Sequence, residues 1–332
     1  MKNKIEKVIK QCLEQIPCNL DVRYDEPMSK HTTFKVGGPA DCLVSVSKEQ
    51  RAIVPLERSK ENAQSDNFPA FAALLLRHAK EAGVPVFILG GGANIVVSDN
   101  GIRGIVLDTS GWRGKEQREE SKEQREVLTL RSGTNMDEAA DIAASLGLSG
   151  LEFLAGMPGT IGGAVWMNAR CYGSEIADVL EWTEVIINNK QVTINKEQSG
   201  FGYKRSPFQD MECLITAACF KLKSGDESEI RCVMEKNRRD REEKGHYLFP
   251  SAGSAFKNNR DFGKPTGQII DELGLRSLQI GGAQIAPFHG NIVINTGSAT
   301  AADIRSLMDE VAAKVKAAAG FVLEPEIIFV GE

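Results

Sequence analysis

A mixed α+β fold follows from three features of this sequence: short apolar strands alternating with amphipathic helices, glycines gathered into clusters at strand ends, and a change of texture near residue 222. The 332 residues are 42% hydrophobic and 26% charged, enough apolar material for a sizeable core and enough chain for two or three domains. Glycine accounts for 32 residues, roughly 10% against a usual ~7%. Its clustering points to loops that need close backbone approach.

Residues 3–16 place Ile5, Val8, Ile9, Leu13 and Ile16 at helical spacing and predict an amphipathic opening helix across the first domain. Strands follow at 42–46, 86–90, 94–99 and 104–108, with a helix over 69–83 that stops at Gly83 and Pro85. Residues 111–126 repeat KEQRE after seven residues, but without apolar a and d positions they read as a solvated excursion between strands. VLTLRSG then reads as strand, MDEAADIAASLG as helix, TEVIINNKQVTI as a hairpin turning at Asn188-Asn189, and CLITAACFKL as strand. Beyond residue 222, ESEIRCVMEKNRRDREEKG is a charged helix with an apolar stripe at Ile230, Val233 and Met234. GQIIDELGL and TAADIRSLMDEVAAKVKAAAG are helices ending at glycine. NIVIN (291–295) is a strand, and LEPEIIFV closes the chain as another.

Forty Lys and Arg against 45 Asp and Glu leave a net charge of −5. Nucleic acid is therefore not expected as a partner, because phosphate binding draws on a basic excess. The opening residues hold no uninterrupted apolar stretch of the ~7–15 residues that a secretion signal needs. No run approaches the ~20 apolar residues of a membrane span, so a cytoplasmic protein without membrane insertion is expected. The seven cysteines (12, 18, 42, 171, 213, 219, 232) are odd in number and lack CxxC or metal-ligand spacing. Free thiols in a reducing compartment, and no metal site, are the expectation.

Two glycine clusters carry the first chemical information. After Val86-Phe-Ile-Leu come Gly90, Gly91 and Gly92, then Ala93 and Asn94. Three residues without side chains can turn several N–H groups inward as an anion nest. A dinucleotide fingerprint would continue into a helix, yet Ile95-Val96-Val97 is β-branched, and the GxxxxGK[ST] loop is absent. The pattern is a strand–loop–strand phosphate cradle or, on the plainer reading, a tight turn. The second cluster, Gly156-Met-Pro-Gly-Thr-Ile-Gly-Gly-Ala-Val165, brings Pro158, Gly159, Thr160, Gly162 and Gly163, with more closely spaced donors and a hydroxyl. Two such loops suit a ligand with two phosphates or a pyrophosphate middle.

TTFKVGGPA (32–40), GGGAN (90–94), GMPGTIGGAV (156–165), FGYKRSPFQ (201–209), AGSAFKN (252–258), QIGGAQIAPFHGNIVIN (279–295) and LEPEIIFVG (323–331) occur in this order. Their order and spacing resemble the UDP-N-acetylenolpyruvoylglucosamine reductase family of flavoenzymes, also called UDP-N-acetylmuramate dehydrogenases. The resemblance covers nearly the whole chain from about residue 20. It implies an N-terminal helix (1–20), a two-subdomain FAD-binding domain of the vanillyl-alcohol-oxidase type (21–222, dividing at about 110), and a C-terminal α/β substrate domain (223–332). It further implies NADPH-dependent, FAD-mediated reduction of UDP-N-acetylglucosamine enolpyruvate to UDP-N-acetylmuramate for peptidoglycan. FAD would be non-covalent, NADPH a co-substrate, and the protein a monomer. Both glycine loops would hold the FAD pyrophosphate. The family usually carries Ser where this chain has Ala93, so one hydroxyl contact is absent or taken by water.

The resemblance also assigns roles. Ser254, by itself a serine in a small-residue loop, becomes the general acid that protonates the substrate carbanion. Glu326 matches the family's catalytic glutamate; read as a strand, its segment turns Glu324 and Glu326 to the same face, and apolar surroundings suit a carboxyl for acid–base work. The family's catalytic arginine follows the tyrosine of a Gly-Tyr-Arg-x-Ser pattern, where this chain has Gly202-Tyr203-Lys204-Arg205-Ser206. Strand alternation would put only one of Lys204 and Arg205 in the site: either Lys204, the favoured candidate, which supplies charge without a planar bidentate grip, or Arg205 delivered by a local bulge. Tyr203, Arg241, Lys244, Asn258 and His289 match substrate-contact positions. The tyrosine-bearing loop of one family branch is not evident after residue 222, which implies the shorter branch.

Overall fold

The computed structural model describes residues 1–46, 67–115, 127–198 and 200–331. Two units emerge: one comprises Met1–Tyr24, Asp41–Gly91 and Gly104–Arg238, the other Asp25–Ala40, Gly92–Arg103 and Arg239–Glu332. The chain passes from one to the other inside the first glycine loop.

The first unit holds two sheets, each with its own core. In one sheet the strand order is Leu20–Pro27, Pro39–Val46, Ile102–Asp108, Val86–Leu89, and the last two run parallel. Parallel strands need apolar cover on their faces. The helices Lys2–Gln15 and Phe68–Ala82 bury Ile5, Val8, Ile9, Phe71 and Leu75 in a cluster with Val44, Ile105 and Leu107. The second sheet is antiparallel, in the order Lys190–Asn195, Leu180–Ile187, Leu214–Lys221, Val127–Arg131. Its hairpin turns at Asn188 (φ 49°) and Asn189 (φ 62°), the left-handed pair that a two-residue loop demands and asparagine tolerates. Leu130, Phe153, Ile161, Val185 and Phe220 form the core beneath it.

The second unit is built on the antiparallel order Ser251–Ser254, Ile292–Asn295, Ala283–Ile285, Gln279–Ile280. The helix Ala301–Ala319 packs Ile304, Leu307, Val311 and Val315 into a core with Phe34, Val96, Phe256 and Val293. Thr300 and Asp303 form a reciprocal cap on that helix. The short strand Ile95–Val97 pairs in parallel with Ile328–Val330, so the closing strand lies beside the residues after the first glycine loop.

Two expectations change. In the charged helix Glu227–Glu243, Val233 is 47% exposed and the buried stripe is Ile230, Met234 and Asn237. Steps of four and three keep one face of an α-helix, whereas Val233 falls beside it. The closing strand is confined to Ile328–Val330, paired with Ile95–Val97, while Pro325 before it bridges a different segment at Phe256. The KEQRE repeat falls almost entirely on residues 116–126, outside the described residues. All seven cysteines are free, and burial pushes the Cys42 thiol up to about 12. Among the described residues no helix is long and apolar enough to cross a membrane.

Candidate active site

The phosphate cradle begins where Val86–Leu89 ends. A Cβ at Gly90 would come within 2.7 Å of Thr160 Oγ1, and one at Gly91 within 2.5 Å of Gly159 Cα, so the two glycine loops touch through bare backbone. Among the described residues, the N–H groups of Gly90, Gly91, Gly92 and Ala93 donate to no protein acceptor. Four consecutive donors left open suit an anion. The second loop differs from its sequence expectation. Ile161 and Gly162 donate to Thr134 and Ser132 carbonyls at 2.8 and 2.7 Å. Gly163 donates to Thr160 Oγ1 at 3.5 Å, and Pro158 has no N–H to give. These donors are committed internally, and the loop's contribution is close approach plus the Thr160 hydroxyl.

The crowding at Gly91 makes a direct prediction. Gly91→Ala forces its methyl against a backbone atom that cannot rotate away. Such overpacking typically costs ~1–3 kcal/mol, and displacing the open donors beside it should weaken binding of the flavin that the resemblance implies by a comparable ~5–150-fold. Fluorescence titration checks it, with circular dichroism to show the fold retained.

In the second unit, Thr33 donates its N–H to Gly92 O at 3.0 Å and its hydroxyl to Ser251 O at 2.7 Å, joining the glycine loop to the strand of Ser254. Between Ser251 and Ser254 the register slips: they oppose Ile294 and Ile292, three steps against two. Gly253, at φ 75°, supplies that bulge, a device that re-aims a side chain. Past Ser254, the Ala255 N–H donates to Asn291 O and the Ala255 carbonyl accepts from Glu326 N–H, both at 2.8 Å. Glu326 is thereby brought beside the residue that follows Ser254. Its side chain is buried at 8% exposure, whereas Glu324 is exposed and paired with Lys257. The two glutamates flank Pro325, which pairs with Phe256 in an antiparallel bridge, and they differ in burial and in partner. Asn94 donates Nδ2 to Glu326 O at 3.0 Å and accepts from Ile328 N–H at 3.0 Å, so this glycine-loop residue anchors the glutamate's backbone.

In the first unit, Tyr203 and Lys204 form the tip of a tight turn, not a strand. Gly202 and Arg205 exchange N–H···O bonds of 2.9 and 3.1 Å, and Lys204 has φ 55°. The turn is held from outside its own sequence. Asn168, fully buried, donates Nδ2 to Gly202 O at 2.8 Å, Ser206 donates its hydroxyl to Trp166 O at 2.6 Å, and Gln209 reaches Lys204 O at 3.2 Å. Alternation therefore does not separate Lys204 from Arg205. Arg205 is exposed and bound to Asp210 at 2.8 Å. The Arg170 guanidinium lies 5.9 Å from the Tyr203 ring centroid.

The remaining positions lie in the second unit. Arg241 lies in the last turn of the charged helix, and Lys244, just beyond the helix, pairs with Asp240 at 2.8 Å. Asn258 Oδ1 accepts from Thr266 N–H at 2.9 Å, capping the helix Thr266–Glu272. His289 Nδ1 accepts the Asn291 N–H at 3.1 Å, which leaves its ring proton on Nε2. Sequence reasoning left His246 without a role, yet its ring centroid is 6.2 Å from that of His289. Burial, with Arg241, His289 and Lys244 around it, pulls His246 from 6.5 down to about 4. The unfolded chain then binds more protons than the folded one between those values, so stability falls as pH drops from 6.5 toward 4. His246→Asn is expected to flatten that part of a plot of thermal midpoint against pH.

Open N–H donors on the first glycine loop suit the pyrophosphate of a flavin dinucleotide, and the buried Glu326 carboxyl of the second unit suits acid–base work, features that fit a flavin-dependent oxidoreductase. Comparison with known proteins makes the class specific. A family model described as FAD binding domain matches residues 72–193, and one described as UDP-N-acetylenolpyruvoylglucosamine reductase, C-terminal domain, matches 244–330. A UDP-N-acetylenolpyruvoylglucosamine reductase of Borreliella burgdorferi is 43% identical over 306 residues, 92% of this chain and 93% of that one. Its counterpart in Treponema denticola is 37% identical over 327 residues, 94% of each. The crystal structure of the Thermus caldophilus enzyme superposes with a TM-score of 0.70 at 31% identity, covering 94% of this chain and 98% of that one. The chain belongs to the UDP-N-acetylenolpyruvoylglucosamine reductase family.

Proposed function

We infer that this chain reduces UDP-N-acetylglucosamine enolpyruvate to UDP-N-acetylmuramate, using FAD and NADPH, in peptidoglycan precursor synthesis. The observation that carries the reading is the Glu326-to-Ala255 hydrogen bond beside Ser254, which joins two sequence-distant residues of matching chemistry. FAD, held by the glycine loops, would take hydride from NADPH and, once reduced, would pass it to the terminal carbon of the enolpyruvyl double bond. The chain's own residues manage charge and protons. The open N–H groups from Gly90 to Ala93 receive the pyrophosphate, and Thr160 backs the loop. Arg241 and Lys244 meet the diphosphate of the sugar nucleotide, and His289 offers it a neutral Nε2–H.

As hydride arrives, negative charge grows toward the substrate carboxylate. Lys204 stabilises it as a point charge, and Glu326 hydrogen-bonds its enol form. Ser254 Oγ then gives a proton to the carbon next to the carboxylate, completing addition of two hydrogens across the double bond. Residues 21–222 form the flavin-holding part and 223–332 the substrate part in this reading. The chain fits the shorter family branch, acting as a cytoplasmic monomer. Acid precipitation of the purified yellow protein tests the non-covalent cofactor: FAD is expected in the supernatant, and flavin retained in the pellet, or a colourless preparation, would contradict it.

A further inference from the structure

Asn291 is 2% exposed and its polar groups converge on the segment that follows Ser254. Its carbonyl accepts the Ala255 N–H at 2.8 Å. Its side-chain Oδ1 accepts the Phe256 N–H at 2.9 Å, and Nδ2 donates to the Phe256 carbonyl at 2.8 Å. Phe256 is itself buried at 1% exposure, so neither of its backbone groups has water as a substitute partner. The reason for this arrangement lies in the bulge. The ladder between Ser251–Ser254 and Ile292–Asn295 has its last strand pair at Ser254 and Ile292. Beyond it the chain leaves for the segment 324–326, where Glu326 N–H bonds to Ala255 O and Lys257 N–H to Glu324 O. Phe256 bridges Pro325 through bonds made by its neighbours, which leaves its own N–H and C=O unused on that side, and the Asn291 amide takes both. The opposite end of the residue donates its N–H to His289 Nδ1 at 3.1 Å.

We propose that Asn291 is the positioning residue for Ser254: its amide clamps Phe256 from one side while Glu326 holds Ala255 from the other, and together they set where the serine hydroxyl points. The proposal rests on the reading of Ser254 as proton donor. Without the clamp, two buried backbone groups seek new partners and the serine loses its fixed aim. A misplacement of about 1 Å can cost ~10²-fold in rate even when the displaced group is intact.

A double-mutant cycle tests it in the flavin-loaded full chain, with Asn291→Ala and the milder Asn291→Ser each made alone and with Ser254→Ala. Each single Asn291 variant is expected to slow turnover of the enolpyruvyl substrate by ~10–100-fold. Reduction by NADPH, and flavin affinity by fluorescence titration, should stay within about threefold. On the Ser254→Ala background the same substitutions should add less than about threefold, because there is no hydroxyl left to aim. Full additivity with a slow Ser254→Ala parent overturns the positioning role alone. A Ser254→Ala parent as fast as the original protein removes the underlying reading as well. Equal slowing of both half-reactions, or failure of both Asn291 variants to fold and hold flavin, makes the residue purely structural and overturns the proposal.

Discussion

Ser254→Ala is expected to slow reduction of the enolpyruvyl substrate by ~10²–10⁴-fold, equivalent to ~3–5 kcal/mol of barrier. In the proposed mechanism the lost hydroxyl is used only after hydride has left for the substrate. Reduction by NADPH requires no such proton and should stay within about tenfold of the original protein, at most ~1.4 kcal/mol. Stopped-flow spectroscopy times the two halves separately. Ser254→Cys keeps a transferable proton and should recover part of the loss. Ser254 follows the register shift at Gly253, and the backbone of the next two residues is tied to Asn291 and Glu326. Equal slowing of both halves would move the proton donor elsewhere.

Lys204→Ala should cost ~10²–10³-fold in the same half-reaction, the usual effect of removing one group that stabilises developing charge. Arg205→Ala should change it by less than about fivefold. Arg205 and its partner Asp210 are 66% and 68% exposed at the side chain, and such surface pairs contribute ~0–1 kcal/mol. Lys204→Arg, which retains the charge, should recover part of the activity. The reverse order, with Arg205 the costly loss, would require that guanidinium to exchange Asp210 for the substrate and would remove Lys204 from the mechanism.

Periodicity made much of this fold legible. Ile5, Val8 and Ile9 announced the opening helix, Asn188-Asn189 the hairpin, and β-branched Ile95-Val96-Val97 the strand that rules out a dinucleotide fingerprint. The turn at Tyr203-Lys204 was not legible. Its left-handed lysine is held by Asn168, Ser206 and Gln209, two of them through the carbonyl of Trp166, and such partners leave no local pattern. Alternation around Pro325 could not reveal that Glu326 is buried while Glu324 is exposed on Lys257, because that difference depends on what packs against each. At the site, the glycine clusters were visible but their donor accounting was not. Only the folded chain shows Gly162 bonded to Ser132 while Gly90 to Ala93 remain open. Likewise, motif order pointed to Ser254 and Glu326 separately, and their meeting through Ala255 is tertiary. His246 and Asn291 carried no sequence signal, because their significance lies in what surrounds them.

An anaerobic titration tests the central claim most directly. Protein bleached by one equivalent of NADPH is mixed with UDP-N-acetylglucosamine enolpyruvate, and the visible flavin absorbance is followed while the products are identified by mass spectrometry. The account predicts that the colour returns without dioxygen and that UDP-N-acetylmuramate forms in equal amount. A solution that stays bleached with the sugar nucleotide and recovers only on admitting dioxygen would contradict it.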